Sequence, residues 1–151
     1  MNKLWRDFPY LSVEHSYLIF RWTLAGLFMA HAVLRFTVPD YFHTFGDYLE
    51  KRNAILPYAL PYIATLIEIV GGLLLVFNRL VKWVALGFFA ISFGGILTIH
   101  ARLGWFVGEW GEGGCEYSVA LCVMCLLLAA MDRDQAKEKE ERAYTNIAKA
   151  L

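Results

Sequence analysis

Four stretches of this chain are too apolar for the surface of a soluble domain: residues 17–38, 55–77, 81–99 and 117–131. A helix that crosses a membrane needs about 20 mostly apolar residues. The first three runs have that length, and the fourth has 15 uncharged residues between Glu116 and Asp132. At 1.5 Å per residue the fourth covers about 22 Å, so it must draw Glu116 below the interface or thin the bilayer. The first run follows a polar segment with Asp7, Pro9 and Glu14 and no small-residue cleavage site. It predicts a retained helix and not a signal peptide.

The prediction is therefore an all-α fold, an integral membrane antiparallel four-helix bundle over residues 17–131. A short N-terminal segment (1–16) precedes it and a charged tail (132–151) follows. Composition agrees: 58% of residues are hydrophobic and 19% charged, where a soluble domain has about a quarter charged. Formal net charge is zero, which leaves no electrostatic footprint for nucleic acid.

Basic residues set the expected orientation. With the N-terminus cytoplasmic, Lys3, Arg6, Arg79, Lys82, Arg133, Lys137, Lys139, Arg142 and Lys149 lie inside, against Arg35, Lys51, Arg52 and Arg102 outside. Both termini are then cytoplasmic. Trp5, Trp22 and Trp83 would mark the inner interface, and Tyr58, Tyr62, Trp105, Trp110 and Tyr117 the outer one.

In the outer loop 39–54, Tyr41, Phe45, Tyr48 and Leu49 recur at helical spacing, which fits an interfacial helix or an irregular aromatic loop equally well. The tail carries i,i+4 pairs Lys137–Glu141 and Glu138–Arg142 and is expected to prolong the fourth helix as a solvated face, with partner docking the alternative. Gly26 with Ala30, Gly71-Gly72 and Gly94-Gly95 suggest close helix packing.

Ionisable residues inside a span are costly and usually face a bundle interior or cavity. Counting residues puts Glu68 near mid-membrane and Arg21 within reach of it, so Arg21–Glu68 is the expected buried pair. The pair either locks two helices or leaves Glu68 as a proton-carrying or ligand-binding carboxylate. His31 and Arg35 are i,i+4 on the first run, His100 closes the third and Glu116 opens the fourth. In the expected bundle these meet at the outer end. Each alone reads as an interfacial residue; together they read as a polar pocket. "GEWGEGGCEY" (108–117) would be a glycine-rich lid that sets Glu116 into this cluster, or a plain outer connection.

Cys122 and Cys125 form a C-x-x-C one helical turn apart within the fourth run. Redox-active pairs usually sit at a helix N-terminus; mid-span cysteines act as small hydrophobes. The spacing of cysteines and histidines gives no metal site.

These features resemble the DoxX family: Arg21 with "HAVLR" (31–35), "EIVGG" (68–72), "TIHARLGWF" (98–106) and "GGCEY" (113–117). The resemblance covers residues 17–131 and implies a four-helix integral protein of the bacterial inner (cytoplasmic) membrane. It also implies a polar pocket at Arg21, His31, Arg35, Glu68, His100 and Glu116. Ala32 stands where a glycine is common, Arg35 where a lysine is, and the charged tail replaces a glycine-rich end. A relative, DoxD, is the membrane subunit of a thiosulfate:quinone oxidoreductase. The resemblance thus points to a subunit or accessory of a membrane oxidoreductase complex, with other subunits as partners and a quinone as ligand. No intrinsic haem, flavin or iron–sulfur motif is present. Glu68, His100 and Glu116 are the catalytic candidates. The alternatives are a purely structural or assembly subunit and, more remotely, a thiol–quinone protein using Cys122 and Cys125.

Overall fold

The computed structural model describes residues 8, 10–108 and 113–150. These residues contain helices and connections and no strand. The helices are α1 (Val13–Thr37), α2 (Tyr41–Glu50), α3 (Leu60–Val76), α4 (Val81–Thr98) and α5 (Glu116–Ala150), with a 3₁₀ turn, His100–Leu103, after α4. Lys3, Arg6, Trp5, Trp110 and the tip of the expected lid lie outside the described residues.

Ser12 starts α1 by accepting the His15 amide on its hydroxyl at 3.2 Å, which satisfies one of the free amides of the first turn. The helix then runs unbroken to Thr37, four residues earlier at its start than the apolar run. The outer loop does form a helix, α2, whose Phe42 stacks on Tyr62 of α3 with centroids 4.4 Å apart. Chain continuity from the fourth apolar run into the charged tail also holds: α5 is one helix of 35 residues.

The second run is shorter as a helix than its sequence suggests. Asn53 and Leu56 adopt left-handed backbone angles and Pro57 follows, so helical geometry starts only at Leu60, with Pro61 in the first turn. The resulting 17 residues reach about 26 Å. Two helices, Val13–Thr37 and Val81–Thr98, are long and apolar enough to cross a membrane by length and composition. Most of their apolar surface faces outward: Ile19, Val33, Phe93 and Leu97 are all exposed. A soluble protein buries such faces, whereas a lipid solvent covers them.

Packing proceeds from α1 onto α3, α3 onto α4 and α4 onto α5, with α5 also touching α1. The α3–α4 connection is a tight turn with Asn78 and Leu80 both left-handed. Where the helices meet, Leu24, Phe28, Leu75, Phe88, Cys125 and Leu128 form the core. Phe28 and Phe88 stack with centroids 3.9 Å apart.

Two glycines make that approach possible. A Cβ on Gly71 would lie 2.8 Å from Phe88 Cε1 and 2.9 Å from Val84 Cγ1, and one on Gly72 would run into Met29. Gly26 and Gly94, in contrast, face open space, so the packing role expected of them is not theirs. Their helices meet neighbours through other faces. Gly71→Ala should therefore lower stability by about 1–3 kcal/mol through overpacking. Gly94→Ala should leave it equal or raise it by up to about 1 kcal/mol through helix propensity. Thermal unfolding of both variants in one detergent checks the contrast.

Candidate functional site

One face of α3 carries the buried polar residues. Thr65 and Glu68 lie one turn apart, Gly71 and Gly72 a turn further, and all four are buried. Glu68 is 1% exposed. Its carboxylate takes both ends of the Arg35 guanidinium: Nη1 donates to Oε2, and Nη2 to Oε1 at 3.1 Å. Arg35 Nη1 also donates to the Thr65 hydroxyl at 3.1 Å, and that hydroxyl donates to the Pro61 carbonyl at 2.7 Å. A fork-to-fork pair with further hydrogen bonding around it is the form in which a buried ion pair is tolerated.

The expected Arg21–Glu68 pair is corrected. Side chains lean toward the N-terminus of their own helix. On α1 this tips Arg35 back into the protein; on α3, running the other way, it tips Glu68 toward Arg35. The same rule tips Arg21 away from Glu68, and Arg21 instead donates to the Asn78 side chain beyond the end of α3. Arg21 is buried at the opposite end from the other candidates.

His31 lies one turn below Arg35 on α1 and is exposed. His100 stands close enough to His31 for the two to interact electrostatically. Its ring folds against Gly95, where a Cβ would sit 3.6 Å from Cδ2. His100 Nδ1 is buried with no hydrogen-bond partner, an uncommon state for a polar atom.

Glu116 does not join this group. Its Oε1 accepts the Val107 amide at 3.0 Å. Two backbone bonds, Cys115 N to Gly104 O at 3.1 Å and Glu116 N to Trp105 O at 3.0 Å, close the base of the loop beside it. Gly114 permits this because a Cβ there would strike the Trp105 and Phe106 carbonyls. The glycine-rich segment thus fastens its own base, and the carboxylate is used there and not on Arg35.

Cys122 and Cys125 are free thiols buried in the helix interior. Among the described residues no group of three or more His, Cys, Asp or Glu side chains could hold a metal ion.

Sequence reasoning missed Thr65, Asn78 and the polar group on α2. Thr65 was signalled by its place one turn before Glu68 on the same face. From the connection before α3, the Tyr58 hydroxyl reaches α2, 2.8 Å from Asp47 Oδ1 and 3.0 Å from Glu50 Oε2, and His43 pairs with Asp47 at 3.4 Å. Tyr58's hydrogen bond holds the Asp47 carboxyl below the ordinary carboxylate range, with the His43 charge adding to it. A folded value below the unfolded one stabilises at pH above 3.8 and loses that contribution as pH falls through the folded value.

Two outcomes follow from these contacts. Tyr58→Phe should raise the Asp47 titration midpoint toward its ordinary value, as read by carboxyl NMR. Thr65→Val should cost about 1.5–3 kcal/mol of stability, as expected for a lost hydrogen bond to a charged partner; unchanged unfolding would remove Thr65 from the Arg35 network.

The DoxX family profile matches residues 16–101, from the first turns of α1 to the 3₁₀ turn. The match includes Arg21, His31, Arg35, Glu68 and His100 and leaves Glu116 and α5 outside it. No curated protein and no solved structure matches the chain. With more than half of its residues matched, and with apolar helices turned outward, this chain belongs to the DoxX family of membrane proteins.

Proposed function

We propose that this DoxX-family protein is a multi-pass subunit or accessory of an oxidoreductase complex in the cell's inner membrane. In this reading α1, α3, α4 and the apolar half of α5 span the bilayer as an antiparallel four-helix bundle with both termini cytoplasmic. Support comes from the excess of basic residues on the side of the termini. The short α3 and α5 spans are accommodated by local thinning of the bilayer.

The outer ends of α1, α3 and α4 then form a pocket for a quinone head group. The observation that carries this is His100 Nδ1, buried without a partner at the end of the helices that also holds Arg35 and Glu68. A quinone, when bound, supplies the two-electron redox chemistry; electrons reach it from a partner subunit. His100 offers its ring nitrogen as donor to a carbonyl oxygen. Arg35 holds a positive field beside that oxygen and favours the reduced, anionic form. Glu68 carries a proton whenever a ligand oxygen draws Arg35 away from it.

A second reading has its own support. Arg35, Glu68 and Thr65 are joined in one hydrogen-bonded group, as they would be in a purely structural subunit whose charges only lock helices. A thiol–quinone role for Cys122 and Cys125 is disfavoured by their burial deep in α5.

The readings separate by binding of decylubiquinone to the purified protein in nanodiscs. The quinone reading expects saturable binding that His100→Ala reduces at least about tenfold, a loss of about 1.4 kcal/mol, while Cys122→Ser leaves it intact. No saturable binding by the wild-type protein, with its fold intact by circular dichroism, leaves the structural role.

A further inference from the structure

The opposite end of the helices holds a second polar site. A cleft of about 380 Å³ lies between the α3–α4 turn and the side of α5. Lys82, Arg133 and Lys137 share its walls with Asn78, Trp83 and Asp132. The first turn of α4 opens into it, and its N-cap, Leu80, provides no side-chain cap. Asp132 of α5 accepts the Lys82 amide at 3.1 Å. The start of a helix with free amides favours an anion.

Behind Asn78 lies Arg21, 5% exposed. Its Nη1 donates to the Asn78 oxygen, and its guanidinium stands 5.5 Å over the Tyr17 ring. Arg21 Nε and the Tyr17 hydroxyl are both buried without a hydrogen-bond partner. The Tyr17 hydroxyl lies near both Arg21 and Asp132. A buried arginine normally has a carboxylate to itself. Among the described residues Arg21 makes no direct ion pair, so its side chain relies on a neutral amide oxygen and an aromatic face. The cleft walls carry Lys82, Arg133 and Lys137 beside Asp132 and Glu140, with Arg133 paired to Asp134 at 2.9 Å.

The surroundings are those of a membrane interface. Trp83 is 64% exposed and carries Lys82 Nζ 4.7 Å above its ring. Phe77 and Leu80, on the turn beside the cleft, expose apolar surface suited to acyl chains. Basic pockets between helices at this level suit anionic head groups.

We propose that this cleft binds the phosphate of an anionic phospholipid head group. Lys82 and Lys137 contact the phosphate oxygens, and Arg21 supplies a buried positive field behind them. The inference rests on the membrane placement of the helices and not on the quinone reading.

Native mass spectrometry of the full chain, in mixed micelles with equal phosphatidylcholine and phosphatidylglycerol, tests it. The wild-type protein should retain phosphatidylglycerol preferentially. Each lysine removed should weaken retention about fivefold, so Lys82→Gln with Lys137→Gln should lower it about twentyfold. Lys139→Gln with Lys149→Gln should change nothing, and circular dichroism should show all three proteins equally helical. Inorganic phosphate is the second probe. Binding of phosphate lost in the first double variant, with no preference among lipids, would keep the phosphate site and assign it a soluble source. Equal retention of both lipids together with no phosphate binding, or retention unchanged by the first double variant, would overturn the proposal.

Discussion

The ion pair between Arg35 and Glu68 is the interaction around which the rest is arranged. A carboxylate with 1% of its surface exposed cannot stay charged beside hydrocarbon without a partner. Arg35 meets that need only if α1 and α3 run side by side in opposite directions. Their opposed lean brings the two side chains together, and Thr65 occupies the donor that would otherwise be left over. One turn deeper, Gly71 and Gly72 let α4 and α1 close on the same face of α3. The stacked Phe28 and Phe88 fill the space they leave. Charge pairing and close packing thus select the same helix arrangement.

Much of this was legible in the sequence because apolar length and helical period report directly on helices. The long runs and the continuation of the last helix into the charged tail follow from composition and spacing, whereas spacing left the helix at 41–50 as one of two equal readings. The partner of Glu68 was not read correctly because depth was counted in residues while the lean of side chains was ignored. Arg21 lies at a reachable height and points away; Arg35 lies further and points toward the carboxylate. Glycines misled for a related reason. Gly26 and Gly94 have the same composition signal as Gly71 and Gly72, but only the latter pair lies where another helix crosses. Glu116 was drawn toward the cluster by the shortness of its apolar run, whereas a nearby backbone amide, Val107, claims it.

Buried nitrogens without a hydrogen-bond partner stand at opposite ends of the molecule, His100 Nδ1 at one and Arg21 Nε at the other. His100 lies at the end that holds the Arg35–Glu68 pair. At the other, Arg21 has a neutral amide and an aromatic face for partners. The family match covers the residues of both: Arg21 and Asn78 as well as Arg35, Glu68 and His100 fall within residues 16–101. Lys137 belongs to α5, outside the matched residues.

The most direct measurement is a double-mutant cycle on the central pair, with Arg35→Met and Glu68→Leu made singly and together and unfolded in the same detergent. The account predicts that each single change costs about 3 kcal/mol, because it strands a buried charge, and that the double change recovers most of the loss. Losses that simply add would contradict it, since two side chains without mutual dependence could not be what holds α1 against α3.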